Sequence, residues 1–597
     1  MESRSRRPSQ PSSDARPTAG VGDGIDRRSF LRRGVLAGGA LTLGVAGARR
    51  LAGPGDHTAR AAPPLSAAPP APVPIAGAAE DRPNILVILV DQLRQPRPPD
   101  PGANFRRWLP NLSSLQRDGV SFGRHFTAAN DCTPSRSALV TGLYTHQTGC
   151  LITGGSTLDP GFPTWGGMLR EQDYNTYWFG KWHLTHGDNN WTDATDGLGA
   201  YGFAGGTNPS PDGGPGQGWR VDPQIASQFD DWFAARGREE PWCTTVSFVN
   251  PHDIAWWYGW SDRVPAEASA PSVFTSLPVN YETPQMMAQR GKPRLQRSLQ
   301  DTAAYSFGAV PFSGPGTTAA WMPFLDLYLK LQRSVDFHVG RVLASLNRRP
   351  EIAARTVVVF TSDHGEYGAS HGMRGKGAGA YDEAIGVPLV VRDPRRRLTR
   401  ATRIVRRQLS SSVDIAPLLL TIGSGSDAWR RDSHYSHIAG RLDLAAILAD
   451  PSAPGRPHVL HATDETVTEF ALKPYAADAP LHVTALRTAE AKYATYSNWA
   501  PGGIEIETTD QDRELYDYRT PSGQLELDNA SGASDLEEPM DAELTQAISD
   551  ELRAPLPRRL SAAYERGWQD FAAVDGRVDS HAALFRERHA AVAHRRV

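Results

Sequence analysis

Residues 84–92 read NILVILVDQ, a largely β-branched apolar run that stops at Asp91-Gln92. Six apolar residues in succession, without polar alternation, describe a strand covered on both faces, as in a parallel sheet. Three other runs end in the same manner. YNTYWF (174–179) gives way to Gly180-Lys181-Trp182-His183, WCTTVSFV (242–249) to Asn250-Pro251-His252-Asp253, and TVVVFTS (356–362) to Asp363-His364-Gly365. Longer helical patterns separate them, WMPFLDLYLKLQRSVDFHVGRVLASL (321–346) being the clearest. The expected fold is therefore α/β, with a large central mixed, mostly parallel sheet sandwiched by helices. Ligands of such sheets bind at the carboxyl ends of the strands. A single Asp there is most simply a helix cap, but four strand ends supplying Asp, His and Lys predict a site. Lys181 and His183, two residues apart, can share one face.

The chain of 597 residues is 22% charged with a formal net charge of −3, and has no basic excess for nucleic acid. Residues 1–61 differ from the rest. Within IDRRSFLRRGVLAGGALTLGVAGARRLAG (25–53), Arg27 and Arg28 precede Ser29-Phe30-Leu31 and a weakly apolar stretch too short to span a bilayer. The pattern resembles a twin-arginine signal, with A-x-A cleavage sites at Ala46-Gly47-Ala48 and Ala59-Arg60-Ala61. The expectation is export by the twin-arginine machinery with no stable membrane span after cleavage, an uncleaved anchor being the rival reading. Residues 62–82 have too little large apolar surface to fold and read as a disordered linker.

One of only three cysteines lies in NDCTPSRSALVTG (130–142). Pro134 suits a first helical turn and Gly142 an end, which places Cys132 just outside a helix N-terminus, where anions and thiolates are favoured. A lone cysteine is more often a small buried hydrophobe. Cys132-Thr133-Pro134-Ser135-Arg136, followed by Leu139, Thr141 and Gly142, closely resembles the signature of the sulfatase family. Asp91-Gln92, GKWH, NPHD, SDHGE, HGMRGKG, YDEAIGVPLVV and a late ELYDYRTPSGQLELDNA follow the same family's order.

This resemblance implies that Cys132 is oxidised by a cytosolic formylglycine-generating enzyme, and that the hydrated aldehyde attacks the sulfur of a small-molecule sulfate ester. By the family's pattern Asp91, Gln92, Asp363 and His364 hold one divalent cation beside the residue made from Cys132. Lys181 and Lys376 clamp the sulfate oxygens, and Arg136 anchors the formylglycine hydroxyls. His183 helps expel the product and His252 acts at the leaving oxygen. His371 and Arg374, in the loop of Lys376, are candidates for touching substrate, and Asp253 for orienting His252.

Many sulfatases have a second acid where this chain has Gln92, and Asn where it has His364. A partly nitrogen-ligated, less anionic set suits Mn²⁺ at least as well as Ca²⁺. Gln with DHG also occurs in the choline-sulfatase and phosphonate monoester hydrolase branches. A phosphodiester or phosphonate monoester hydrolase is thus the alternative, with a non-catalytic secreted binding protein third; the presence of Lys181 and His183 favours sulfate.

The sulfatase catalytic domain is expected over 83–455, with an insertion over about 254–320. Trp256, Trp257, Tyr258 and Trp260 at its start either line the substrate entrance or pack the insertion down. A C-terminal subdomain with a short antiparallel sheet is expected over 456–536. The helical, charged tail over 537–597 reads as a solvated face or frayed end. In an oxidising compartment Cys150 and Cys243 are an even pair that could form a disulfide.

Overall fold

The computed structural model describes residues 82–97, 105–185, 198–257, 259, 272–466, 468, 471, 473–500 and 505–576. The expected signal and most of the expected linker therefore lie outside the described residues, as do Tyr258 and Trp260. Its strands begin with β1 (Asn84–Asp91), β2 (Val120–Phe122), β3 (His125–Phe126), β4 (Ala129–Asn130) and β5 (Asn175–Gly180). Next come β6 (Ala204–Gly205), β7 (Trp242–Pro251), β8 (Thr356–Ser362), β9 (Leu389–Arg392) and β10 (Ile404–Arg406). The last are β11 (Ser410–Ser411), β12 (His458–Thr463), β13 (His482–Thr488), β14 (Ala491–Trp499) and β15 (Ile506–Asp517).

Eight of these form one sheet in the order β10-β2-β9-β8-β1-β7-β5-β6. The block from β8 to β6 is parallel, while β9 runs antiparallel to both β8 and β2. The four strands singled out in sequence are its adjacent central members, so their carboxyl ends lie side by side. Side chains alternate across β1: Ile85, Val87 and Leu89 enter one core, Leu86, Ile88 and Val90 the other. Helix Ile415–Ser424 covers the first face, and helices Gln217–Arg236 and Thr317–Asn347 cover the second. That double cover is why β1 is continuously apolar.

A second sheet, β15-β14-β13-β12-β4, is antiparallel except at β4, which pairs parallel with β12. The short strand leading into Cys132 is thus an edge of the C-terminal sheet. The insertion contains the helices Pro284–Gln289 and Arg294–Phe307. Leu295, Leu299, Ala303 and Phe307, at helical spacing, bury one face of the second.

Two expectations are corrected. The tail is not a solvated face through its described part: Met540, Leu544 and Leu552 pack beneath the C-terminal sheet, and Trp568 and Phe571 against Leu151 and Ile152. Apolar residues spaced among the charges supply that burial. Cys150 and Cys243 form no disulfide; both are buried as small hydrophobes in the same core. Among the described residues no helix is long and apolar enough to cross a membrane.

Candidate active site

The helix carrying Cys132 spans Cys132–Thr141, so the cysteine is its first residue rather than the one before it. Gly142 closes it in the left-handed region at φ 71°, its N–H donating to Ala138 O at 3.0 Å. Every residue of this helix is buried. The thiol lies 3.2 Å from His364 Nε2, 3.2 Å from Lys376 Nζ, 3.5 Å from Lys181 Nζ and 3.8 Å from Asp91 Oδ1. Ligands from two strand ends and cations from two loops therefore meet at one sulfur atom.

Arg136, one turn along, binds the acids from below. Its Nε donates to Asp363 Oδ2 at 2.8 Å and Nη2 to Asp91 Oδ2 at 3.1 Å, while Nη1 donates to Lys181 O and Ser247 Oγ. Lys181 Nζ forms a further ion pair with Asp91 Oδ2 at 2.7 Å. Burial alone would raise the Asp91 pKa, but Lys181, His252, Arg136 and His364 outweigh it and hold the carboxyl well below its ordinary range. Asp363 and Asp91 likewise outweigh burial around Arg136 and raise its pKa. Burial pushes His364 down to about 4, leaving a neutral imidazole able to ligate.

Gln92 turns the chain at the end of β1 with φ 67°, a left-handed conformation unusual for a residue other than glycine. Tyr328 OH donates to Gln92 O at 2.7 Å and Gln92 N to Asp363 Oδ1 at 3.1 Å, which holds the turn. Gln92 Oε1 accepts from Lys376 Nζ at 3.1 Å. The remaining expected ligands cluster tightly. Asp91, Cys132, Asp363 and His364 each offer one ligand atom, all within 4.8 Å of one another. Hard carboxylate oxygens with one imidazole, adjoined by the Gln92 amide, form a donor set that fits a divalent cation.

His183 also has positive φ, 61°, and its carbonyl accepts from Thr133 Oγ1 at 2.9 Å, tying the β5 loop to the cysteine helix. Trp182, between Lys181 and His183, packs into the core. His252 is wholly buried at the start of the turn His252–Trp256 and packs against Gly213. All the predicted site residues thus lie at the carboxyl edge of the sheet or on the helix that abuts it.

Other expectations fail on geometry. Asp253 accepts the N–H groups of Gly218 and Trp219 at 3.1 and 2.9 Å, so it caps helix Gln217–Arg236 from another segment. His371 Nδ1 lies 2.6 Å from Glu282 Oε2 and its ring stacks on Tyr381. Arg374 donates to the carbonyls of Trp257, Ala303 and Gly308. Both residues fasten the insertion to the loop instead of facing a substrate. Trp256 and Trp257 are buried, Trp256 Nε1 donating to Gly213 O at 2.8 Å and Trp257 packing on Phe324. They hold the insertion in place.

Two residues escaped the sequence reading. Glu366 was visible within SDHGE without an evident task; it binds Gln92 and the loop before Lys376. Gly213 had no signal, because its role arises only from a contact across the fold.

The mostly parallel sheet thus carries a cluster of metal-ligating side chains and two lysines at its carboxyl edge. A family profile described as Sulfatase matches residues 83–425, and the chain belongs to the sulfatase family. The sulfatase YidJ of Escherichia coli K12 is 25% identical over 343 residues, 52% of this chain and 62% of that one. Mouse steryl-sulfatase is 30% identical over 394 residues, covering 55% and 60%. The choline-sulfatase of Rhizobium meliloti is 25% identical over 343 residues, covering 52% and 63%. The match spans about three fifths of each relative's length. Among solved structures, a 2-O GAG sulfatase superposes with TM-score 0.57 at 19% identity, covering 81% of this chain and 96% of its own. The phosphonate monoester hydrolase of Silicibacter pomeroyi follows at 0.56 and 21%, covering 80% and 97%. These establish the shared fold.

Proposed function

We propose that the chain hydrolyses sulfate esters with a nucleophile made by converting Cys132 to formylglycine. The observation that carries the reading is the set of contacts to the Cys132 sulfur: an imidazole, two ammonium groups and a carboxylate, all buried. The hydrated aldehyde supplies the attacking oxygen. A divalent cation, Mn²⁺ or Ca²⁺, held by Asp91, Gln92, Asp363 and His364, supplies Lewis-acid polarisation of the sulfate.

The chain's own groups divide the rest. Lys181 and Lys376 neutralise the nonbridging oxygens, where a water-poor setting strengthens each contact. Arg136 fixes Asp91 and Asp363 and anchors the nucleophile. His183 takes a proton from the second hydroxyl of the hydrate as sulfate leaves, and His252 donates one to the departing alkoxide. The substrate is a small-molecule sulfate ester, and the pre-protein meets a formylglycine-generating enzyme in the cytosol before export by the twin-arginine route.

Peptide mass spectrometry of protein from a native-like host tests the first step: a loss of roughly 18 Da at Cys132 marks the aldehyde. A panel of aryl and alkyl sulfates beside phosphodiesters and phosphonate monoesters tests the second. Higher kcat/KM on the phosphorus esters would replace the sulfatase reading with the phosphonate one, which the Gln92 and His364 ligands also suit. An unmodified, inactive thiol would overturn both.

A further inference from the structure

Away from Cys132, two histidines and a carboxylate meet in the interior. His146 lies on the turn Thr145–Thr148, Asp464 follows β12 and His482 opens β13. Each offers one ligand atom, and these atoms all lie within 4.8 Å of one another. The residues are 1, 4 and 1% exposed. Asp464 Oδ1 is used, receiving His482 Nδ1 at 2.6 Å and Trp499 Nε1 at 2.8 Å. Asp464 Oδ2, His146 Nε2 and His482 Nε2 have no hydrogen-bond partner. Buried polar atoms are nearly always satisfied, so three orphans in one cluster call for a common explanation. Rings of Trp499, Trp568 and Phe571 surround them and keep the dielectric low.

We propose that His146, Asp464 and His482 form a second divalent-cation site, of zinc type, separate from the catalytic cluster. Two imidazole nitrogens with one carboxylate oxygen are zinc donors, whereas Ca²⁺ and Mg²⁺ favour oxygen throughout. Zinc bonds of about 2.0–2.2 Å set ligand atoms about 3.3–3.7 Å apart, so atoms that now lie within 4.8 Å of one another draw together on binding. The location gives the ion a structural task. It joins the turn after the cysteine helix to the C-terminal sheet, and His146 O accepts Trp568 Nε1 at 3.1 Å, bringing in helix Ser561–Gly576. Gly149 and Gly567 cross beside it with no space for a Cβ on either. Glu465, next to Asp464, accepts the N–H groups of Thr153 and of Asp131, the residue before Cys132. The site thus braces the nucleophile's helix from behind. It does not depend on which ester the enzyme cleaves.

Zinc content of the full mature chain tests this. The catalytic cluster is disabled by Asp91→Asn with Asp363→Asn, the protein is loaded with Zn²⁺ and dialysed, and metal is counted by plasma mass spectrometry. About one equivalent should remain, and Zn²⁺ should raise the Tm; adding His482→Gln or Asp464→Asn should abolish both. Zinc absent from the disabled protein, or retained after His482→Gln, would overturn the proposal and leave the cluster a water-filled polar contact. Should the combined variant fail to fold, crystals of the wild-type protein soaked in Zn²⁺ decide. An anomalous peak between His146 and His482 supports the site, and its absence sinks it.

Discussion

Glu366 Oε2 accepts the Gln92 Nε2 amide at 2.5 Å, while Glu366 Oε1 accepts the N–H groups of Gly368 and Gly375. One buried carboxylate thereby decides which way a glutamine points. With its NH₂ held by Glu366, Gln92 must turn its oxygen toward Lys376 and the ligand cluster. Substituting Glu366→Ala frees the amide to rotate and loosens the loop before Lys376. Outer partners of metal ligands contribute about 10–100-fold in affinity, so Mn²⁺ titrated calorimetrically should bind weaker by that factor. Unchanged affinity would show that Gln92 needs no such guide.

Gly213 touches the His252 ring so closely that an added Cβ would lie 2.7 Å from Cε1, and its φ of 97° disfavours any side chain. Gly213→Ala must therefore displace His252. Misplacement of about 1 Å can cost on the order of 10²-fold in rate. The loss should fall on kcat and be larger for alkyl sulfates than for nitrophenyl sulfate, since a good leaving group needs no proton. Equal losses on both would remove His252 from the leaving oxygen.

Asp91, Lys181, His252 and Asp363 were legible because a buried parallel strand has one exposed end, so polar residues following an apolar run have a predictable location. Cys132 was legible by resemblance, since nothing in its spacing alone distinguished a nucleophile from core filler. Asp253 was read only as a partner of His252, on adjacency in sequence, and the two do interact electrostatically. Its side chain instead turns to the start of a helix that begins 36 residues earlier in the chain. His371 and Arg374 failed likewise: their partners, Glu282 and the carbonyls of 257, 303 and 308, belong to an insertion whose path no local pattern encodes.

The Asp253 assignment has its own consequence. Capping acceptors contribute about 0.5–2 kcal/mol, so Asp253→Ala should lower stability by that amount in urea unfolding. Asp253 feels His252 electrostatically, but with both carboxylate oxygens engaged by Gly218 and Trp219 it should leave the form of the pH dependence of kcat/KM unchanged. A shifted basic limb would restore Asp253 as a partner of His252.

Burial pushes the Cys150 thiol up to about 12 and raises Cys243 further. Neither should react with iodoacetamide in the native protein at pH 8, and both should react after unfolding without any reductant. Mass shifts on the two peptides read this directly. Protection that persists in denaturant until reductant is added would demonstrate the disulfide that the structure lacks.

The described tail is held by a titratable clamp. His458, on β12, places Nε2 2.8 Å from Glu551 and Nδ1 3.0 Å from Glu543. Burial would lower the His458 pKa, but Glu551 and Glu543 outweigh it and raise it above the ordinary value. Burial would raise Glu551, yet His458, Arg456 and Arg441 bring it to about 2. The histidine's contribution is complete below its unfolded pKa of about 6.5 and is lost as pH rises through its raised folded value. The glutamate's is complete above its unfolded pKa of about 4.3 and is lost as pH falls toward 2. Anchoring of helix Glu537–Ala547 should therefore be strongest between roughly pH 4.5 and 6.5. Hydrogen exchange of that helix, corrected for intrinsic rates, should show protection falling from pH 6 to pH 8.5 in the wild type and staying flat in His458→Gln. Parallel curves for the two proteins would mean that apolar packing by Met540 and Leu544 holds the tail without the clamp.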